Sequence, residues 1–281
     1  QKLDVRSGAS RTFKDEDFFQ DNVMRVVEIS LSGTLHNDVG HKLLAQNICN
    51  DVAGDIAVAS GFAATSQVYG AGVTNAASSL TFVMKPSDLT NQVGMEFFGC
   101  VVTSFSISAE AATDGGAYKW SATLMTGKKP DLTNTTAITT ETVYLNTDIP
   151  KLSSSSLHEV FNTSVVMSSF TTAIESPAIF TGVTSTGYQV VSRGAEIAVT
   201  ADTQVKYDEN TKGFIGSFDT QSAHLVGDMF IIVNNNAFGV EMENGVFTNV
   251  ALSEGDLMML DCSIKAVDIG SGELVKFDVS A

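Results

Sequence analysis

Apolar and polar residues alternate with a period of two along Glu96–Glu110, and again along Tyr118–Met125 beyond the turn signal Thr113-Asp114-Gly115-Gly116. A strand changes face at every residue, so this pattern on both sides of an Asp-Gly turn predicts a long β-hairpin. Under strict alternation Val101, Thr103, Phe105 and Ile107 share one face, and Val102, Ser104, Ser106 and Ser108 share the other. The first face would pack on a core while the Ser-rich face meets water or a partner.

The same reading extends along the chain. Met24–Leu35 alternates, with Val27, Ile29, Leu31 and Gly33 opposed to Val26, Glu28, Ser30 and Ser32. Asp38 is placed to cap a helix carrying Val39, Leu43, Leu44, Ile48 and Val52, closed by Gly54. Leu80–Met84 predicts a short strand before Lys85-Pro86. Ser156-Leu157-His158-Glu159 has the form of a capping box and predicts a short helix with Leu157, Phe161 and Val165 one turn apart. Farther on, Ile197–Val199 and Gln204–Tyr207 predict strands turning at Asp208–Gly213, and Asp228–Asn236 and Leu257–Val267 predict two more. The second half repeats the hydrophobic order of the first without repeating its residues, which predicts a structural duplication. The expected architecture is mainly β, a sandwich or barrel with a flanking helix, duplicated in one chain. It divides into an N-terminal arm (1–20), a first half (21–130), a Thr/Ser-rich linker with a short helix (131–170) and a second half (171–281).

Charge narrows the function. The chain carries 32 acidic and 16 basic residues, and residues 151–281 alone set 16 acids against six bases. A protein that grips nucleic acid needs a basic footprint to displace counterions, and this chain has none. The acidity suits a surface kept apart by like charge, or one that lets nucleic acid pass without holding it. Cys49, Cys100 and Cys262 are odd in number and far apart, which gives neither a disulfide framework nor a zinc spacing and favours a reducing compartment.

Reactive chemistry is sparse. There is no Gly-x-Ser-x-Gly elbow and no P-loop, and Gly70-Ala71-Gly72 meets Asn75 where a dinucleotide fingerprint needs its third glycine. His36, Asp38, His41 and Cys49 have ligand chemistry but not the spacing of a closed zinc site. The segment starting at Asp208 has Asp219 in place of the twelfth-position Glu of a calcium loop. No catalytic, metal or cofactor site is expected. Gln1–Gln20 is polar and charged and does not read as a secretory leader. The charge-free stretch between Asp55 and Lys85 is broken by glycines and polar residues, so it does not read as a membrane span.

Two places in the chain carry a resemblance. One is Gly-Cys-Val-Val-Thr-Ser-Phe-Ser-Ile-Ser at 99–108, with its return strand ending at Thr126-Gly127-Lys128-Lys129. The other is Met229–Asn236 followed by Gly245-Val246-Phe247, Leu252–Asp256 and the strand to Val267. In these stretches the chain resembles the tail tube, or major tail, proteins of long-tailed bacteriophages. The resemblance implies a structural virion protein, made in the host bacterial cytoplasm, that polymerises into stacked rings and forms the conduit for genome ejection. Rings would be trimeric if the fold is duplicated and hexameric otherwise. Other tail proteins would be partners, DNA would pass without specific binding, and no membrane would be involved. The resemblance places Val102, Ser104, Ser106, Ser108 and Asp261 on the channel wall. That wall would be built from strands 100–109, 118–125, 229–234 and 257–266. Phe18 and Phe19, on the charged arm, are expected at contacts between subunits. The rival readings are a head decoration or tail-completion protein, and a β-sandwich adhesion or ligand-binding module.

Overall fold

The computed structural model of the chain describes residues 2–5, 18–21, 27–36, 39–49, 67–70, 79–84, 94–128, 130–134, 149–155, 157–183, 189–193, 197–219, 225–234, 238–253, 257–268 and 273–278. The protein is mainly β, and most of its strands join one large, open antiparallel sheet. The first part of the chain forms β1 (Lys2–Val5), β2 (Phe18–Asp21), β3 (Val27–Thr34), helix α1 (Val39–Cys49), β4 (Gln67–Gly70), β5 (Leu80–Met84), β6 (Gly94–Glu110), β7 (Lys119–Thr126) and β8 (Asp131–Asn134). Then come β9 (Leu157–Val160), β10 (Thr163–Ser164) and β11 (Met167–Glu175). The last part forms β12 (Ala178–Val183), β13 (Gln189–Arg193), β14 (Ala198–Lys206), helix α2 (Gly213–Asp219), β15 (Leu225–Asn234), β16 (Phe238–Ser253), β17 (Met259–Ala266) and β18 (Glu273–Asp278).

One pairing scheme occurs twice. In the first unit β3 pairs with β7, β7 with β6, and the N-terminal half of β6 with β5 and β8. In the second, β14 pairs with β17, β17 with β16, and the N-terminal half of β16 with β15 and β18. Each unit places its helix directly after its first strand. Strand β11 stands between the units, antiparallel to β6 on one side and to β14 on the other.

Each long strand belongs to two layers, so it must bend. In β6 the bend falls at Gly99, whose φ of +64° is strained for any residue with a Cβ. In β16 it falls at Gly245, which pairs with β15 on one side and β17 on the other. A Cβ there would lie 2.9 Å from Met229 Cγ and 3.1 Å from the Lys265 carbonyl oxygen. Just beyond each bend comes a bulge, at Thr103 in β6 and Thr248 in β16. The two threonines make the same bond, donating to the carbonyls of Thr123 on β7 (3.1 Å) and Ser263 on β17 (3.2 Å).

The core lies between the sheet and the second layer. Phe105 meets Phe277 of β18, and Phe170 of β11 bridges Tyr118 and Phe230 of β15. Under the second unit, Phe161, Phe214 of α2 and Phe247 form an aromatic cluster. From α1, Ala45, Ile48 and Cys49 are buried, while Leu43 is exposed. Lys276 of β18 is buried with Glu241, at 3.2 Å, and also pairs with Glu243. Among the described residues no helix is long and apolar enough to cross a membrane.

Several sequence expectations need correction. Leu157–Val165 is not a helix. It is the hairpin β9–β10, turning at Phe161 and Asn162 with φ of 55° and 53°. Two positive φ values suit a two-residue hairpin turn, and β9 pairs along β15 from Leu157 to Val160. Pairing with a buried strand outweighs a local capping signal. The strands expected at Ile197–Val199 and Gln204–Tyr207 form one strand, β14 (Ala198–Lys206), and the Asp208 turn leads into α2 rather than another strand. Asp38 and the residues after Cys49 expected in the first helix lie outside the described residues.

Replacing Gly245 with Ala should lower the unfolding free energy by about 1–3 kcal/mol, because overpacking at a closed site forces its neighbours aside. Chemical denaturation measures this. His158 has a buried Nε2 with no hydrogen-bond partner, and burial lowers its pKa from the ordinary 6.5 against a weaker opposing contact with the Leu152 backbone. The folded protein therefore keeps this ring neutral at pH values where the unfolded chain protonates it. Its contribution to stability is complete above the unfolded pKa and declines as the pH falls below about 6.5. His158→Leu should flatten that slope in unfolding curves collected between pH 7.5 and 5.5.

Candidate functional site

The site with the strongest structural case is a sheet face rather than a pocket. Strands β16, β17, β14, β11, β6, β7 and β3 run side by side, and directly opposed residues in neighbouring strands point to the same face. One row reads Ser32, Ser121, Ser106, Ala173, Thr200, Lys265 and Val246. The next reads Thr34, Lys119, Ser108, Thr171, Asp202, Ser263 and Asn249. A third runs Glu110, Ser169, Gln204, Asp261 and Ala251. Phe105, Ile107, Ala201 and Ile264, on the opposite face, belong to the core. The result is a broad hydroxyl-rich surface.

Hydrogen bonds across the strands hold this surface in place. The Ser106 and Ser121 hydroxyls lie 2.7 Å apart. Gln204 donates to Asp261 Oδ1 at 2.8 Å, and Ser168 donates to Gln204 Oε1 at 2.7 Å. Glu28, Glu110, Glu175, Asp202 and Asp261 share the face with Lys119, Lys206 and Lys265. Lys119 is in turn paired with Asp114 at the hairpin tip.

Ser104, Ser106, Ser108 and Asp261 therefore lie together on one surface. Val102 does not. It is fully buried and joins Cys100 and Phe105 in the core. The bulge at Thr103 inserts one residue and reverses the alternation, so strict period-two reading fails on the N-terminal side of that point. The Val102 N–H donates to Asn47 Oδ1 of α1 at 2.8 Å. Met229–Asn234 is also corrected, because every residue in it is buried and none belongs to the open face. Phe18 and Phe19 lie in β2, opposite Val5 and Asp4 of β1, in a two-stranded sheet separate from the main one.

Sequence reading missed both bulge threonines and Asn47. A signal for the former was present: Val101-Val102-Thr103-Ser104 and Val246-Phe247-Thr248-Asn249 share Val-x-Thr followed by a small polar residue. No local pattern marks Asn47, which acts on a residue 55 positions away.

Two edges of this surface stay open among the described residues. Strand β3 pairs only with β7, and Val246–Ser253 of β16 only with β17. Open strand edges are templates for further pairing.

No cluster of His, Cys, Asp or Glu among the described residues is placed to hold a metal. His41 Nδ1 bonds the His36 carbonyl, and its ring sits edge-on to Trp120. Asp208 Oδ1 accepts from the Asn210 and Thr211 amides, which accounts for that turn. Cys49, Cys100 and Cys262 are buried and form no disulfide, and burial raises the Cys100 thiol to about 11 and the Cys262 thiol to about 12. Such thiols are poor nucleophiles. Compared with family models and with curated protein sequences, the chain matches none.

Asn47→Ala should cost about 0.5–1.5 kcal/mol, the net worth of the hydrogen bond it removes from the buried Val102 N–H. Hydrogen exchange at Val102 should accelerate with it. A variant as stable as the parent would show that the bulge does not depend on α1.

Proposed function

We propose that this chain is a tail tube subunit, a structural protein that polymerises into stacked rings and forms a conduit for a phage genome. The observation that carries this reading is the hydroxyl-rich sheet face bounded by two open edges. A ring needs a surface that does not close within one chain, and open strands can pair with neighbours at little cost in reorganisation. The repeated pairing scheme supports a ring of three chains presenting six units, with the duplicated fold standing in for a pair of subunits. The open face supports its use as the channel wall. Serine and threonine hydrate readily, and the charged groups are mixed with a slight acidic excess, so a polyanion would meet no basic track on which to release its counterions.

Negative-stain microscopy and sedimentation of the concentrated protein test the reading. Rings or tubes with a central channel are expected, and the assembled particles should not retain duplex DNA at low salt. A species that stays monomeric at high concentration would overturn it, as would an assembly that turns the Ser104–Ser108 face outward.

A further inference from the structure

The two open edges run in the same direction. From β16 to β3 the sheet has seven strands, each antiparallel to the next, so the first and last are parallel to one another. Copies placed edge to edge could not continue the antiparallel ladder directly. The join between the two units within the chain solves this problem with β11, a nine-residue strand that covers the outer edge of β14 and the outer half of β6. The counterparts of those two edges are β3 and Val246–Ser253 of β16. These are the edges left open.

We infer that each join between copies contains one additional strand, antiparallel to β3 of one copy and β16 of the next, and that it is supplied by the arm of this chain at β2. The inference rests on the ring-forming reading above. Position favours the arm. β11 precedes β14 in the chain, and the arm likewise precedes β3, with five residues separating Asp21 from Val27. A connection of that length suits an antiparallel hairpin.

The backbone of β3 is prepared for such a neighbour. The Leu35 N–H donates to the Tyr118 carbonyl, and alternation along an antiparallel pair then turns the odd-numbered groups of β3 toward β7. The N–H and C=O groups of Glu28, Ser30 and Ser32 consequently face the open edge. Among the described residues β2 pairs only with β1. Assembly would exchange β1 for β16 of the next copy, because retaining both strands would make nine per copy and restore the parallel clash.

Disulfide trapping separates the possibilities, since the native cysteines are buried. Neighbouring strands lie about 5 Å apart, and strands separated by an intervening one lie about 10 Å apart, beyond the roughly 7 Å Cα separation a disulfide tolerates. Cysteines at Phe19 or Gln20, combined with cysteines across Thr248–Leu252, should form interchain bridges in assembled particles. Cysteines at Ser30 or Ser32 against the same β16 positions should not. Removing residues 1–21 should abolish rings while leaving the far-UV circular dichroism of the β core intact. Efficient bridging of Ser30 or Ser32 to β16, or rings formed equally well by the truncated chain, would overturn the inference and leave the tube reading standing. A full chain that forms no ring would remove both.

Discussion

Two strands in this protein have to serve two layers at once, and the rest of the architecture follows from that constraint. A strand that leaves one sheet for another must bend sharply and lose part of its ladder. The bends fall at Gly99 and Gly245, one requiring a positive φ and the other a missing side chain. The lost ladder bonds fall at Thr103 and Thr248, whose hydroxyls bond the adjacent strand's carbonyls in the same way in both units. In the first unit the remaining amide is satisfied from outside the sheet, by Asn47 of α1. The helix thus contributes more than apolar cover. It supplies an acceptor to a buried backbone N–H at the point where the strand breaks its alternation.

That break decides which residues reach the open face. Beyond Thr103 the hydroxyls of Ser104, Ser106 and Ser108 point away from the core, while before it Cys100 and Val102 point in. Had the strand continued without a bulge, either Val102 would be on the open face or the serines would be in the core. Burying three hydroxyls without partners would cost several times the net worth of a typical hydrogen bond. The bulge therefore sets a boundary between a stretch devoted to packing and a stretch that presents polar groups.

The parts of this design legible in the sequence are those governed by neighbours close along the chain. The β6–β7 hairpin has its Asp-Gly turn, β3 has clean alternation, and α1 shows apolar residues three to five apart. The parts that were not legible depend on distant partners. Leu157–Val160 carries a local helix signal but becomes a strand because β15 offers a buried edge. β16 was hard to see because Glu241, Glu243 and Asn244 interrupt its apolar pattern. Glu241 and Glu243 are accommodated by Lys276, 33 to 35 residues away. Met229–Asn234 gave a strand signal but no indication of its face, since a strand covered on both sides has no polar side to reveal. At Val102 strict alternation is misleading, because a single inserted residue inverts the parity, and its one trace, the Val-x-Thr shared with Val246–Thr248, shows only when the two halves are compared.

The distribution of charge refines the meaning of the chain's acidity. The whole sequence has a formal net charge of −16, yet the open face sets five carboxylates against three lysines. Most of the acidity is therefore carried elsewhere in the chain. At physiological salt, fields from exposed charges are screened over about 8 Å, so remote carboxylates would contribute little at this surface. What a molecule passing over it would meet is chiefly the local layer: serine and threonine hydroxyls, with scattered charges of both signs. Under the proposed reading, low retention of DNA would come from the lack of a continuous basic track more than from strong repulsion. Strong repulsion would oppose entry of a polyanion as well as its retention, and a hydrated, nearly balanced wall avoids both penalties.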